Sequence, residues 1–187
     1  MRLFVALEIS SAVRDNLAAV IRDLRPLAPQ LKWVRTENLH VTLKFIGETP
    51  AENLGAIGQA LSAVRSNGQV ELHFRGFGFF PNEKRPSVCW TGIEASENLG
   101  TLAGGIDHAL EAVGIPREQR PFTPHLTLAR ISTSGWTEKL RNAIQQNRTR
   151  DFGALITHEF RLMESKLKPS GAEYTTLQSF RFAAEEA

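Results

Sequence analysis

Two short segments of the chain share one residue pattern, HVTL at residues 40–43 and HLTL at residues 125–128. In a β-strand, side chains two positions apart point to the same face, and adjacent side chains point to opposite faces. His40 and Thr42 therefore share one face, and the aliphatic residues of that segment share the other. Each segment predicts a strand that packs its aliphatic face on a core and presents an imidazole beside a hydroxyl on its other face.

The same alternation predicts where the residues after each motif point. Lys44 is expected on the histidine face as a solvated side chain, and Phe45 on the apolar face. Arg130 is expected on the face opposite His125, and it reaches the histidine face only if the strand twists or ends there.

Two imidazoles and two hydroxyls, from His40, Thr42, His125 and Thr127, suit one kind of chemistry in particular. A histidine with a pKa near 6.5 can donate or accept a proton at neutral pH, so two histidines can divide these roles. Hydroxyls beside them can donate hydrogen bonds to the non-bridging oxygens of a phosphate. In-line displacement at phosphorus needs groups on opposite sides, which two facing strands would supply. The pattern favours phosphoryl transfer.

The rest of the chain alternates helix and strand patterns. Helices are predicted over residues 10–24, 49–64, 96–114 and 134–146, with a capping box in the second formed by Thr49 and Glu52 around Pro50. Strands are predicted over residues 2–9, 39–46, 70–80, 87–94, 125–131, 156–165 and 174–182. Several strands follow each other with short turns only, which favours an α+β fold with antiparallel sheets. A helix follows each His-x-Thr strand, so two lobes related by pseudo-two-fold symmetry are expected.

Length and composition limit the class of protein. At 187 residues the chain fits one bilobal domain over residues 1–187, and 42% hydrophobic with 22% charged residues is ordinary for a globular protein. No apolar run approaches the roughly 20 residues of a membrane helix. The single cysteine, Cys89, excludes a disulfide framework, fits a reducing cytoplasm and is expected to be buried and inert. A monomer is expected, and the net charge of +2 does not by itself indicate a nucleic-acid partner.

The motifs allow two other interpretations. Half-exposed strands often carry a histidine with a purely structural role. A zinc site usually needs three protein ligands, and neither motif places a carboxylate on its His-Thr face, so no metal is expected. The three remaining histidines lack a threonine two positions later and are expected to be structural or surface residues: His73, His108 and His158.

The doubled motif, together with the surrounding sequence blocks in their order, resembles the two-histidine phosphoesterase superfamily. Within it, the chain is similar to RNA 2′,3′-cyclic phosphodiesterases, also called 2′-5′ RNA ligases. The blocks that carry the resemblance are MRLFVALEI, KWVRTENLHVTLKFIGE, GFGFFPNEKRPSVCWTGI, RPFTPHLTLAR and LMESKLKPSGAEYTTL. The resemblance implies a central cleft lined by both motifs. It also implies hydrolysis of RNA 2′,3′-cyclic phosphate ends to 2′-phosphates without a metal or cofactor.

The resemblance also implies roles for individual residues. His40 would be the general acid and His125 the general base, while Thr42 and Thr127 would hold the non-bridging phosphate oxygens. Arg130 would contact phosphate, although strand alternation argues against it. The expected partners are RNA ends bearing a 2′,3′-cyclic phosphate, tRNA fragments among them, and 2′-5′ ligation would be the same chemistry in reverse.

Several points stay open at the level of sequence. A non-catalytic RNA-end binder, or an enzyme for a small nucleotide such as an ADP-ribose cyclic phosphate, would use the same cleft. A base-stacking surface is available from three aromatic residues, of which at least two are expected to pack in the core: Phe77, Phe79 and Phe80. Spacing assigns no role to Lys166 or Tyr174.

Overall fold

A four-stranded antiparallel sheet carries the first His-x-Thr motif. The structure is a computed structural model that describes residues 1–183, without the Thr133 side chain, so the last four residues of the expected domain 1–187 lie outside it. The strand order is β3-β1-β8-β9, and every neighbouring pair is antiparallel. The bounds are β1 Arg2–Glu8, β3 His40–Glu48, β8 Glu159–Lys168 and β9 Gly171–Arg181.

A five-stranded antiparallel sheet carries the second motif. Its order is β2-β6-β5-β4-β7. The bounds are β2 Lys32–Trp33, β4 Val70–Phe80, β5 Val88–Ala95, β6 His125–Arg130 and β7 Asp151–Thr157. The α+β class with two antiparallel sheets is confirmed. The prediction missed β2 and most of β7, and it placed the end of β7 and the start of β8 in one strand.

Four α-helices complete the fold: α1 Ser11–Leu24, α2 Leu54–Ser62, α3 Asn98–Glu111 and α4 Glu138–Gln146. Ser10 caps α1 by accepting a hydrogen bond from the Val13 amide. The capping box predicted for α2 is wrong, because Thr49 donates its hydroxyl to the Gly47 carbonyl and a 3₁₀ turn precedes the helix. None of the helices within residues 1–183 combines the length and apolar character needed to cross a membrane.

Both motif strands contain a β-bulge at the same position. On β3, Thr42 and Lys44 pair with adjacent residues of β1, which leaves Leu43 as the extra residue. On β6, Thr127 and Ala129 pair with adjacent residues of β5, which leaves Leu128 as the extra residue. A bulge reverses the alternation of faces, so the positions predicted for the residues after each motif are wrong.

The reversal moves Lys44 away from the histidine face and into the interior. Its side chain is 6% exposed, and its ammonium donates to Asp107 Oδ1 at 2.5 Å and to the Pro116 carbonyl at 2.7 Å. Lys44 therefore joins β3 to α3 and to the loop that leads towards His125. The expectation of a solvated lysine is corrected: a buried ion pair anchors it.

The pKa of Asp107 reflects this anchoring. Burial acts to raise it, but hydrogen bonds from Lys44 and from the Glu118 amide, with the charge of Lys44, lower it overall. Because the folded-state pKa is depressed, the stabilisation is present above the unfolded-state pKa of about 3.9 and is lost as the pH falls below it.

Asp107→Asn should lower the free energy of unfolding by about 3 kcal/mol at pH 7, because it leaves the Lys44 ammonium buried without a counter-charge. Urea unfolding monitored by circular dichroism measures the change. Glu173→Gln, which removes the exposed ion pair with Lys168, is the matched control and should change stability far less, because water screens an exposed pair. Equal effects from the two substitutions would contradict a structural role for the Lys44 pair.

Candidate active site

The two motif histidines occupy corresponding positions and make the same hydrogen bond. His40 is the first residue of β3 and His125 the first residue of β6. In each case the ring Nδ1 lies against the backbone carbonyl two residues earlier, Asn38 at 2.6 Å and Thr123 at 2.8 Å. A carbonyl can only accept, so Nδ1 carries the hydrogen in both rings. This bond fixes the tautomer and leaves Nε2 as the nitrogen available for proton transfer.

The motif threonines lie on the same faces as the histidines. On β3, Thr42 Oγ1 is 3.0 Å from His40 Nε2, so hydroxyl and imidazole converge on one point. The strands β3 and β6 lie close together, and a positive charge on His125 lowers the pKa of His40. The two motifs that lie 85 residues apart in sequence therefore form one site.

Each imidazole is flanked by two aromatic rings. His40 lies 4.9 Å from the Phe4 ring and 5.2 Å from the Tyr174 ring, the latter edge-to-face. The Phe80 ring meets the second histidine edge-to-face at 4.9 Å, and the Trp90 ring lies 6.1 Å from it. These rings restrict the orientation of both imidazoles and exclude water from their sides.

The run GFGFF at residues 76–80 contributes only one of the aromatic rings beside the imidazoles. Phe77 packs on Phe152 and Phe79 packs on Trp136, so the prediction that at least two of these aromatic residues belong to packing is confirmed. Phe80 alone reaches the site. Gly78 is required beside it because the Trp90 indole covers its Cα, where a Cβ would overlap the ring.

The pKa of His40 is lowered from its ordinary value of about 6.5. Burial is the largest cause, since it disfavours the charged ring. The hydrogen bond to the Asn38 carbonyl acts in the opposite direction, and the charge of His125 lowers the pKa further. The ring is therefore mainly neutral at pH 7 unless an anion lies beside it.

Arg130 lies on the histidine face because of the bulge at Leu128. Arg130 is exposed to solvent. Burial raises the pKa of Tyr174, and the positive charges of Arg130 and Arg2 lower it by a smaller amount. The expectation that Arg130 faces away from His125 is wrong, since it assumes an unbroken period of two. Tyr174 itself was missed as a site residue, because it reaches His40 from β9, at the opposite edge of the sheet.

A cavity of about 180 Å³ adjoins His40 on the same sheet. Tyr174, Met163, Thr176 and Asn38 form part of its lining. Glu8 also lines the cavity, and its carboxylate forms an ion pair with Arg161 at 2.5 Å. The sequence carried no sign of this cavity, since its lining comes from five separate segments.

The other residues considered from sequence lie elsewhere or have partners of their own. Lys166 forms an ion pair with Glu164 at 3.2 Å, and His73 contacts Asp151 at 2.8 Å. His108 is 79% exposed on α3 beside Glu111. The Cys89 thiol is buried, which raises its pKa to about 12 and makes it unreactive. Across residues 1–183, no group of three or more His, Cys, Asp or Glu side chains is placed to hold a metal ion.

A family model for LigT-like phosphoesterases matches residues 7–90 and 93–174, which include both motifs. The chain belongs to the LigT-like phosphoesterase family. It is 32% identical to an RNA 2′,3′-cyclic phosphodiesterase of Archaeoglobus fulgidus over 180 residues, covering 96% of this chain and 99% of that one. It is 36% identical to an RNA 2′,3′-cyclic phosphodiesterase of Thermus thermophilus over 194 residues, covering 99% and 92%.

Solved structures agree with this assignment. A crystal structure of a Thermus thermophilus protein matches this LigT-like phosphoesterase with a TM-score of 0.78 and 34% identity over 100% of both chains. The crystal structure of E. coli LigT complexed with 3′-AMP has a TM-score of 0.80 over 98% of each chain, at 24% identity, and so shares the fold.

The electrostatic contact between the two histidines of this LigT-like phosphoesterase is directly measurable. NMR titration of the imidazole signals should give His40 a pKa below about 6.5. His125→Gln should raise that pKa, because it removes the positive charge that opposes protonation of His40. His108→Gln should leave it unchanged. A His40 midpoint that is identical in wild type and His125→Gln would show that the two rings do not share a site.

Proposed function

We propose that this LigT-like phosphoesterase hydrolyses RNA 2′,3′-cyclic phosphate ends to 2′-phosphomonoesters, with His40 as general acid and His125 as general base. The observation that carries the proposal is the matched pair of imidazoles, each held through Nδ1 by a backbone carbonyl and each presenting Nε2. Relatives at 31% to 36% identity named RNA 2′,3′-cyclic phosphodiesterase support the substrate.

The proposed reaction needs one proton removed and one delivered. His125 Nε2 takes a proton from water as its oxygen bonds to phosphorus. The bond from phosphorus to O3′ breaks, and protonated His40 Nε2 gives its proton to that oxygen. The product keeps the phosphate on O2′, and the two imidazoles exchange protonation states until solvent restores them. No step requires a metal ion.

The protonated state of His40 depends on the substrate in this proposal. Burial lowers the pKa of His40 in the free protein, which works against a general acid. A phosphate anion beside Nε2 supplies the opposite charge and raises that pKa when the RNA end binds. The assignment of the acid role to His40 rather than His125 rests on the family resemblance.

The remaining polar groups on the histidine faces suit a phosphate. Thr42 and Thr127 donate hydroxyl hydrogen bonds to the non-bridging oxygens, and Arg130 adds a guanidinium on the same face. A 5′-hydroxyl end in place of water would reverse the reaction and form a 2′-5′ linkage. We place this activity in the cytoplasm of the cell, in a monomer, with tRNA fragments among its substrates.

His40→Ala and His125→Ala should each lower kcat by about 10²- to 10⁴-fold, since each removes one partner of acid–base catalysis. Thr42→Ala and Thr127→Ala should lower it by about 10- to 10³-fold. The assay uses an oligoribonucleotide with a 2′,3′-cyclic phosphate end, in EDTA. The product should resist a 3′-specific phosphatase. His108→Ala is the matched control and should keep full activity.

The same assay separates the rival functions. Tight RNA-end binding without turnover in the wild type would indicate a non-catalytic binder, and the proposal would be wrong. Faster turnover of an ADP-ribose cyclic phosphate than of the oligomer would indicate a small-nucleotide enzyme. Activity abolished by EDTA and restored by a divalent cation would contradict the metal-independent mechanism.

Arg130→Ala should raise KM for the RNA substrate by about 10- to 100-fold, because a charged hydrogen bond to phosphate is lost. Arg130→Lys should recover only part of this, since an ammonium lacks the planar fork of the guanidinium. Arg22→Ala, on the exposed surface of α1, is the control for the loss of one positive charge. An Arg130→Ala enzyme with unchanged KM and kcat would remove Arg130 from the site.

A further inference from the structure

The two motif strands belong to different sheets. β3 is an edge strand of the four-stranded sheet, and β6 lies inside the five-stranded one. The strands are close together, but each strand ladder within residues 1–183 runs inside one sheet or the other. Backbone pairing therefore does not set the distance between His40 and His125, and contacts from side chains and loops must do so.

Lys44 is a residue of β3 that makes such a contact. Its ammonium donates to Asp107 on α3 at 2.5 Å and to the Pro116 carbonyl at 2.7 Å. Helix α3 and the α3–β6 loop, residues 112–124, connect β5 to β6 of the five-stranded sheet. One lysine therefore joins the first motif strand to the segment that leads into the second motif strand.

The carboxylate of Asp107 holds the α3–β6 loop at a second point. Its Oδ1 accepts from the Glu118 amide at 3.1 Å, and the Arg117 guanidinium lies 3.5 Å from Oδ2. Residues 116–121 are all exposed, so packing contributes little to the position of this segment. Hydrogen bonds to the pair of Lys44 and Asp107 are therefore the main contacts that hold this part of the loop.

The α3–β6 loop ends at the carbonyl that orients the second histidine. The Thr123 carbonyl accepts from His125 Nδ1 at 2.8 Å, and it lies only five residues after Glu118 in the chain. Phe122, just before it, is half buried. A shift of the loop at residues 116–118 would therefore displace the Thr123 carbonyl and the imidazole that it holds.

We propose that Lys44 is a positioning residue, which sets the distance between His40 and His125 by holding the α3–β6 loop against β3. The inference rests on the proposed function, since acid–base catalysis needs both imidazoles at one phosphate at the same time. A misplacement of about 1 Å can lower a rate by about 100-fold. Lys44 acts through the loop, because its own side chain is buried away from the histidine face.

Lys44→Met tests this role, because methionine is also long and unbranched but carries no ammonium. It should lower kcat for the oligoribonucleotide with a 2′,3′-cyclic phosphate end by about 10- to 100-fold. KM should change far less, since alignment is lost rather than binding. Val70→Ala is the control for lost stability and should keep the wild-type kcat, because Val70 is buried at the end of β4 that points away from the second motif.

A second readout reports the spacing of the imidazoles. In the wild type, His125→Gln should raise the pKa of His40, because it removes a charge that lowers this pKa. In the Lys44→Met background the same substitution should raise the pKa by less, since the two rings then lie farther apart. The direct effect of the lost Lys44 charge cancels, because both proteins in that comparison carry Lys44→Met. NMR titration of the imidazole signals measures both shifts.

A double variant, Lys44→Met/Asp107→Leu, covers the case in which Lys44→Met alone does not fold. It removes both charges, so neither partner is left unpaired in the interior. It also removes the acceptor for the Glu118 amide. The double variant should therefore show the same loss of kcat and the same smaller His125-dependent shift.

The outcomes separate the inference from the proposed function. If the wild type does not open the cyclic phosphate, the proposed function fails, whereas the NMR titrations need no turnover and still test the spacing. With an active wild type, an unchanged kcat in the folded variant overturns the inference. An unchanged His125-dependent shift also overturns it, because a loss of kcat then has another origin. A lower kcat together with a smaller shift, neither of them seen in Val70→Ala, supports it.

Discussion

The hydrogen bond from each imidazole Nδ1 to the carbonyl two residues earlier is the constraint on which the site depends. A histidine at the start of a strand could rotate about χ1 and χ2 and could exchange tautomers. The carbonyls of Asn38 and Thr123 remove both freedoms, because they accept only from a ring nitrogen that carries hydrogen. Proton transfer then has one defined nitrogen on each side, and the edge-to-face rings around the imidazoles hold that geometry.

The paired bulges give the two motif strands the same backbone geometry, although their core-facing side chains differ. In each motif strand, the histidine and threonine face the cleft, two residues turn to the core, and the next residue faces the cleft again. The core-facing residue after the leucine is Lys44 on one sheet and Ala129 on the other. The lysine fixes β3 to α3 through Asp107, whereas the alanine fits a close-packed interior. The common backbone geometry is therefore retained while the side chains around it differ.

Much of this arrangement could be predicted from the sequence, because strand and helix periodicity are local properties. The two histidines, the two threonines and the α+β class follow from residues 40–43 and 125–128 and the pattern around them. The bulges could not be predicted, since an extra residue changes the face of every later side chain without changing composition. Tyr174 could not be predicted either, because its contact with His40 spans 134 residues and depends on the strand order of the sheet.

The environment of His40 has a consequence for the order of events in the proposed reaction. Burial keeps His40 mainly neutral in the free protein, so the general acid is not yet charged. Because proton uptake is favoured by the phosphate anion, substrate binding and protonation of His40 are thermodynamically linked. The acid is then protonated mainly when an anionic substrate lies between the two rings.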